Sequence, residues 1–234
     1  MSLRQVVLDT ETTGLDPGLG HRVIEIACVE VVNRRVTDRD FHLYLNPDRD
    51  SDPGALQVHG LTTDFLRDKP RFKEVAHEFL EFVAGGELII HNAPFDIGFL
   101  DAELARIDLP PITRQIAGVV DSLRLAKSLH PGRRNSLDAL CERYGIDNSS
   151  RTLHGALIDA RLLAEVYLAM TRGQESLVME SAESTKTVGA IRIDNEALDL
   201  VVLRADESEM AAHAATLEDL QKASRGRCVW MAAD

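Results

Sequence analysis

The chain of 234 residues lacks the features that would mark a secreted, membrane-spanning or zinc-stabilised protein. Its three cysteines are scattered at positions 28, 141 and 228, so neither a disulfide framework nor a zinc site is indicated. No run of about 18 apolar residues occurs, which excludes a typical membrane span. The amino-terminal stretch reaches Asp9 after a short apolar run, too short for the apolar region of a signal peptide. We therefore expect a cytoplasmic protein.

Aromatic residues and positive charge are also scarce. Aromatics make up 5% of the chain, and 26 bases face 38 acids, which leaves a net charge of −12. Such a chain lacks the general basic surface of a nucleic-acid-binding protein. Two arrangements would still allow that function: bound Mg²⁺ or Mn²⁺ can supply positive charge locally, or a partner can hold the nucleic acid. The hydrophobic content of 44% is enough for a well-packed core.

The apolar pattern predicts an α/β domain over residues 1–172, built on a mixed sheet. A meander of strands comes first and is followed by helices that alternate with short strands. The predicted strands are 4–9, 23–32, 36–45, with a turn at 33–35, and 87–90. The predicted helices are 72–83, 94–107, 136–144 and 155–171, and residues 119–129 are predicted to hold a strand end and a helix.

The composition changes after Arg172. Residues 173–190 are polar and without a period, which predicts a flexible linker. Residues 191–234 form a small tail, with an extended stretch at 191–203 and a helix at 206–224. One stripe of that helix is apolar, and the only tryptophan of the chain, Trp230, follows it.

Two acids, Asp9 and Glu11, stand two positions apart at the end of the first predicted strand. Alternate residues of a strand point to the same side, so both carboxylates can grip one cation. Oxygen ligands of this kind suit hard divalent ions. Taken alone, however, so short a motif is more simply a strand that enters a polar turn.

Two further acids lie near predicted helix starts. Asp96 follows a short buried strand, where a carboxylate can serve merely to complement a helix terminus. Asp159 lies beside the apolar face of the longest helix, where a purely structural acid would be poorly placed. His154 precedes it on a loop, and a histidine next to a carboxylate suits a general base near neutral pH.

Together these motifs resemble the DEDD exonuclease superfamily in its histidine branch. The DxE pair, an Asp in an NxxFD setting and an HxxxxD motif occur here in the family's order. The resemblance implies an RNase H-like fold, that is, a mixed sheet with flanking helices. Residues 134–146 and 151–171 carry a closer likeness to the proofreading 3′→5′ exonuclease subunits of bacterial DNA polymerase III.

The resemblance implies two-metal phosphodiester hydrolysis with Mg²⁺ or Mn²⁺, releasing nucleoside 5′-monophosphates from DNA 3′ ends. Asp9, Glu11 and Asp159 would hold the first ion with the scissile phosphate. Asp9 would bridge to the second ion, which Asp96 would support through water. His154 would take the proton from the attacking water.

Contacts to the terminal nucleotide are implied at a wider set of positions, namely Asp9, Glu11, Thr13, Leu15, His59, Asn92 and Asp159. For His59 an equal alternative is a loop histidine bonded to backbone. Gly54 stands where related chains carry an acid, so no side-chain contact is predicted there. Phe95 is expected in the core rather than as a wedge against a base, and Arg133 and Arg134 are expected to be a solvated pair rather than phosphate ligands.

The segment beyond residue 172 carries the predictions about protein partners. Gln174, Leu177 and Met179 form a weak version of a sliding-clamp peptide, a short segment with apolar anchors. The resemblance implies that Leu217, Leu220 and Trp230 bind the catalytic subunit of the polymerase. The alternative is that this apolar set docks onto the chain's own catalytic domain. A small accessory subunit is a further possible partner.

Two other functions fit parts of the pattern. An RNA-trimming 3′→5′ exonuclease would use the same five residues, because RNA presents the same phosphate. A non-catalytic assembly module would retain the fold but would not require the whole set of four acids and a histidine. The residues beyond position 172 favour the polymerase subunit over the RNA-trimming enzyme.

Overall fold

A computed structural model describes residues 4–149, 153–172, 205–224, 226–228 and 230. The chain divides into two compact units, Met1–Glu180 and Ser181–Asp234. The predicted linker at 173–190 and the predicted extended stretch at 191–203 lie outside the described residues.

The first unit contains a five-stranded mixed sheet in the order β3-β2-β1-β4-β5. β1 pairs antiparallel with β2, and β2 pairs antiparallel with β3, whereas β4 runs parallel to β1 and to β5. This architecture confirms the predicted mixed sheet with its meander. The strands are β1 (Arg4–Thr12), β2 (Val23–Val32), β3 (Arg35–Tyr44), β4 (Glu87–Ile90) and β5 (Gly118–Asp121).

The predicted turn between β2 and β3 has a physical signature. Asn33 and Arg34 both have positive φ, at 48° and 61°. Two such residues in succession match the two-residue hairpin turn whose twist suits antiparallel strands. The guanidinium of Arg34 donates to Thr171 Oγ1 at 2.8 Å and to the carbonyl of Leu168 at 2.9 Å, so the turn is tied to the last turn of a helix.

Seven helices of the first unit flank the sheet within its described residues. Their bounds are α1 (Pro53–His59), α2 (Thr63–Leu66), α3 (Phe72–Val83), α4 (Ala93–Ala105), α5 (Ser122–Leu129), α6 (Leu137–Tyr144) and α7 (Ala156–Met170). α3 has the predicted bounds, and Ser136 caps α6 as predicted by accepting from the Ala139 amide. The short helices α1 and α2 were not predicted, because four to seven residues are too few to display a helical period.

Successive side chains of β1 point to opposite faces of the sheet and pack into two hydrophobic cores, one on each face. Val6 and Leu8 pack in one cluster with Phe79 and Leu100, from α3 and α4. Val7 points to the other face, where it packs with residues of α6 and α7 such as Leu163. Because the side-chain period of a strand is two, the polar residues that continue β1 are also divided between these two faces.

The second unit holds one described helix, α8 (Glu207–Ala223). Asp206 and Glu209 form a reciprocal capping box at its start. Its predicted bounds, 206–224, are confirmed to within one residue at each end. None of the helices in the described ranges has the length and hydropathy needed to cross a membrane.

Candidate active site

Asp9 and Glu11 lie near the end of β1, on the face that Val7 shares with α7. Asp9 is registered opposite Ala27 of β2, and Glu11 opposite Glu25, just before the pairing is interrupted between Glu11 and Thr12. The two acids therefore point to the same side of the sheet. Thr10, between them, points to the other face and towards α4.

Asp96 comes from the first turn of α4, directly after β4. Its side chain is 3% exposed, and Thr10 Oγ1 donates to Asp96 Oδ1 at 2.7 Å. Burial raises the pKa of Asp96 to about 7, against the hydrogen bond from Thr10, which acts to lower it. Asn92 precedes the helix in the left-handed conformation (φ 74°) and makes no side-chain cap, so the chain turns sharply from β4 into α4.

Asp159 comes from the first turn of α7, and His154 from the loop before it. Asp159 is buried, whereas the side chain of His154 is 46% exposed. His154 Nδ1 lies 3.2 Å from Asp159 Oδ2. The amide of His154 donates to the carbonyl of Val58 at 3.1 Å, which ties this loop to α1. The histidine is thus held at its backbone and its ring, while much of the ring remains open to solvent.

These side chains converge on one place. Ligand atoms of Glu11, His154 and Asp159 all lie within 4.8 Å of one another, close enough to hold a single metal ion. Burial raises the pKa of Asp9 well above its ordinary value, and the negative charges of Asp96, Glu11, Asp159 and Glu25 raise it further. A cluster of mutually repelling carboxylates suits a divalent cation, because a bound ion removes the cost of ionising them together. His154 belongs to this geometric grouping and so is available either as a ligand or as a base.

A groove of about 580 Å³ opens beside the carboxylates. One wall is the end of β1 and its following turn, and the other is the start of α1; the lining residues are Thr10, Glu11, Thr12, Gly14, Leu15, Asp52, Pro53, Gly54, Ala55, Val58, His59 and Phe95. Leu15 is strongly exposed at the rim. Phe95 lines the groove and also packs on Phe99 with ring centroids 5.0 Å apart, so it serves both core and surface.

His59 offers an unused hydrogen-bond donor in this groove. The residue is 4% exposed, and its Nδ1 accepts from the Leu61 amide at 2.9 Å. Burial lowers the pKa of His59, which favours the neutral ring. Because Nδ1 of the neutral ring accepts a hydrogen bond, Nε2 must carry the proton. Nε2 has no hydrogen-bond partner among the described residues. A buried donor without a partner lowers the stability of the fold. A ligand with a polar acceptor at this position would form the missing hydrogen bond.

Four of the predicted nucleotide contacts do not line the groove, namely Asp9, Thr13, Asn92 and Asp159. Asp9 and Asp159 belong to the carboxylate cluster beside it. The Thr13 amide donates to Arg22 O at 2.9 Å, and its carbonyl accepts from the Asp52 amide at 2.8 Å. Its hydroxyl accepts from the Arg22 amide at 3.0 Å. Thr13 therefore holds the two walls of the groove together, and its neighbours Gly14 and Leu15 face the opening.

Sequence reasoning missed His21 and Asp52, which join those walls. His21 Nδ1 lies 3.1 Å from Thr13 Oγ1, and its Nε2 lies 3.4 Å from Asp52 Oδ2. The ring packs so closely on Gly14 that a Cβ built there would lie 2.3 Å from His21 Cε1. No local pattern marks this arrangement, because Thr13, Gly14 and His21 lie between β1 and β2, whereas Asp52 lies between β3 and α1.

The predicted partner contacts are only partly within the described residues. Gln174, Leu177 and Met179 lie outside them. In the second unit Leu217 is half-buried, and Leu220 and Trp230 are exposed, Trp230 at 75%.

The RNase_T exonuclease family matches residues 6–167 of the chain. DNA polymerase III subunit epsilon of Escherichia coli (strain K12) is 53% identical, over 98% of this chain and 98% of that protein. The subunit epsilon of Pasteurella multocida (strain Pm70) is 49% identical, over 97% of this chain and 93% of that protein. Among solved structures, Exonuclease X in complex with 5′ overhanging duplex DNA aligns with a TM-score of 0.56 and 26% identity, over 72% of this chain and 91% of that chain.

A mixed sheet that gathers carboxylates at the end of its first strand, together with the family match, defines a nuclease of the exonuclease class. Within that class, the chain belongs to the family of DNA polymerase III epsilon subunits. These matches confirm the predicted RNase H-like fold and the predicted likeness to polymerase III proofreading exonucleases.

Proposed function

We propose that this chain removes mismatched terminal deoxynucleotides from DNA 3′ ends, as the proofreading epsilon subunit of a DNA polymerase III. The observation that carries the proposal is the convergence of Asp9, Glu11, Asp96, Asp159 and His154 beside a groove large enough for a nucleotide. Hydrolysis of the last phosphodiester bond would release a nucleoside 5′-monophosphate.

The donor set fits two divalent cations, Mg²⁺ or Mn²⁺. Asp9, Glu11 and Asp159 would hold the first ion, and Asp9 would also hold the second, which Asp96 would support through water, since hard cations prefer carboxylate oxygens. When bound, the ions would supply positive charge to the scissile phosphate and to the attacking and leaving oxygens. The raised pKa of Asp9, caused by burial and by its carboxylate neighbours, supports this assignment, because a cation relieves that repulsion.

His154 is the general base of the proposed reaction. Its exposed ring can accept a proton from a water that attacks the phosphorus, while the P–O3′ bond breaks and the leaving 3′ oxygen takes a proton from solvent water. Asp159, 3.2 Å from Nδ1, orients the ring. His154 is thereby given the role of base rather than of metal ligand.

The groove beside the carboxylates is the proposed site of the terminal nucleotide. His59 Nε2 would donate to a polar group of that nucleotide, which satisfies the buried donor. Leu15 and Phe95 offer apolar surface to the base, and Gly54 leaves open space with no side chain in reach of the nucleotide. Thr13 and Asn92 would act by shaping the backbone around this groove.

The relatives are by name subunits of DNA polymerase III, which supports a polymerase partner. We propose that Leu217, Leu220 and Trp230 bind the catalytic alpha subunit, and the exposure of Leu220 and Trp230 supports this. Gln174, Leu177 and Met179 are proposed to bind the sliding clamp, and a theta-like accessory subunit is a further partner. DNA is the proposed substrate, and Exonuclease X offers a DNA-bound precedent in its solved complex. A cytoplasmic location follows from these partners.

The test uses the full chain, purified, with single-stranded DNA, a mismatched primer terminus, a matched terminus and short RNA as substrates. We expect release of 5′-monophosphates with Mg²⁺ or Mn²⁺, none with a chelator, and fastest release from unpaired DNA ends. Preference for RNA would favour the RNA-trimming enzyme, and no hydrolysis with either metal would favour the assembly module.

Two variants separate the roles at the site. His154→Ala should lose most of its turnover yet still bind Mn²⁺, whereas Asp9→Ala should lose both. His77→Ala, at an exposed histidine of α3, is the matched control and should behave as the parent chain. Turnover close to that of the control in His154→Ala would refute the general-base role.

A further inference from the structure

Positive charge is concentrated in one stretch of this acidic chain. Between Ser122 and Tyr144 there are five Lys or Arg residues and only two acids, whereas the whole chain carries −12. The stretch comprises α5, the loop after it and α6. Its cations are Arg124, Lys127, Arg133, Arg134 and Arg143.

Three of these arginines line one groove. Arg133 and Arg134, from the loop between α5 and α6, and Arg143, from α6, border an open groove of about 460 Å³ together with Ala139 and Glu142. Cations outnumber the single acid there by three to one. Uncompensated positive charge in a groove attracts anions and concentrates them.

Hydrogen bonds hold the loop that forms the groove in a defined conformation. Arg143 Nη2 donates to the carbonyl of Arg134 at 2.6 Å, and Arg143 Nη1 donates to Asn135 Oδ1 at 3.0 Å. The buried Asn135 in turn donates to the carbonyl of Arg133 at 3.1 Å. These bonds fix the backbone of the loop, so that the side chains of Arg133 and Arg134 are presented from a defined base.

Arg133 and Arg134 also have no carboxylate partner among the described residues, unlike several other arginines of the first unit. Arg4, Arg22, Arg71 and Arg161, for example, each pair with an acid. The positive potential of this region acts on His130. Burial lowers the pKa of His130, and the charges of Arg143 and Arg133 lower it further. Two guanidinium groups that lack a carboxylate partner and extend from a fixed backbone are suited to bind phosphate oxygens.

The basic stretch begins at the same end of the sheet as the candidate active site, because β5, which precedes α5, runs parallel to β4, and β4 runs parallel to β1. The Ser122 hydroxyl, at the start of α5, lies 2.9 Å from Nδ1 of His91, which follows β4 directly. Arg124 and Lys127 are exposed and three residues apart on α5, so they share one side of the helix. Eight residues of helix span about 12 Å, or roughly three to four nucleotides of a stacked strand.

We infer that the groove of Arg133, Arg134 and Arg143 binds phosphates of the single strand several nucleotides upstream of the terminal nucleotide, with Arg124 and Lys127 along the way. The inference rests on the proposed function, since it gives that site the rest of its substrate. A nucleic-acid strand is favoured over an acidic protein because the basic stretch starts at the end of the sheet that carries the proposed cleavage site.

The test compares Arg133→Gln/Arg134→Gln with Arg35→Gln/Arg114→Gln in the full chain. The control pair removes the same amount of positive charge. Arg35 and Arg114 are exposed and lie at the start of β3 and before β5, at the end of the sheet opposite the candidate active site. Substrates are an oligothymidine dinucleotide and a twelve-nucleotide oligomer. We expect KM for the longer strand to rise on the order of tenfold in the groove variant only, with KM for the dinucleotide and kcat unchanged.

Salt dependence supplies a second readout. Loss of two phosphate contacts should reduce the slope of log affinity against log salt by about 1.4, because each contact to a single strand contributes about 0.7. Affinity is measured by fluorescence anisotropy of the labelled twelve-nucleotide strand in chelator, where no cleavage occurs. An equal effect on both substrate lengths, or a slope that matches the control, would overturn the inference.

Failure of the proposed function would look different. If the parent chain binds the longer strand but hydrolyses nothing with metal, the proposed function falls, and the anisotropy comparison still decides the groove. Normal oligonucleotide binding by the groove variant, with reduced binding to polyglutamate, would overturn the inference in favour of an acidic protein partner.

Discussion

Asp96→Asn should make the metal-free protein more stable at alkaline pH while lowering its nuclease activity. Asp96 is buried, and burial raises its pKa from 3.8 to about 7. The folded state therefore holds this proton more tightly than the unfolded state does. The stabilisation is complete below the unfolded pKa and is lost as the pH rises through the folded pKa.

The magnitude follows from those two values. Each pH unit between them costs about 1.4 kcal/mol, so the ionised carboxyl lowers the free energy of unfolding by about 4 kcal/mol at pH 8. At pH 5 the folded protein holds the proton, and the cost falls to about 1–2 kcal/mol. Asparagine is never ionised, and its amide oxygen can still accept from Thr10 Oγ1 as Asp96 Oδ1 does.

The assay is urea unfolding of the full chain in chelator at pH 5 and pH 8. We expect Asp96→Asn to gain stability at both values, with the larger gain at pH 8. Asp38→Asn, at an exposed acid of β3, is the control and should change little. A gain that is equal at the two pH values, or a loss at pH 8, would refute the reasoning about the buried carboxyl.

Three further outcomes are expected. Gly14→Ala should cost about 1–3 kcal/mol of stability and raise KM for DNA, because its Cβ would meet the His21 ring at 2.3 Å; unchanged melting and kinetics would contradict this close packing. Gly98→Ala, in α4 with open space around the new Cβ, should instead stabilise the chain by about 0.5–1 kcal/mol in the same melts, and destabilisation would count against that packing. Trp230→Ala should weaken binding of the alpha subunit by about 30-fold in a titration while hydrolysis of single-stranded DNA is unchanged, whereas undiminished binding would remove Trp230 from the interface.

Local patterns were sufficient for much of the fold. The sequence itself determined the helix at 72–83 and the strand at 23–32. Burial of one helix face, or of a whole strand, requires a regular pattern of apolar residues that can be recognised in the sequence. The spacing of Asp9 and Glu11 on one strand likewise fixes their common direction before any tertiary contact is known. The short helices α1 and α2 leave no such trace, since each has only four to seven residues and buries only one of them.

The tertiary structure decided which residues lie next to one another at the candidate site. The sequence predicted which side chains would bear the chemistry, and its prediction of Asp96 and Asp159 near helix starts is confirmed. Only the packing of α4 and α7 at the end of β1 brings them to Asp9, leaves His59 Nε2 buried without a partner, and sets His21 between two loops. The physical reason is that strand and helix periods are local properties of the chain, whereas desolvation, carboxylate repulsion and hydrogen bonds between loops depend on residues far apart in sequence.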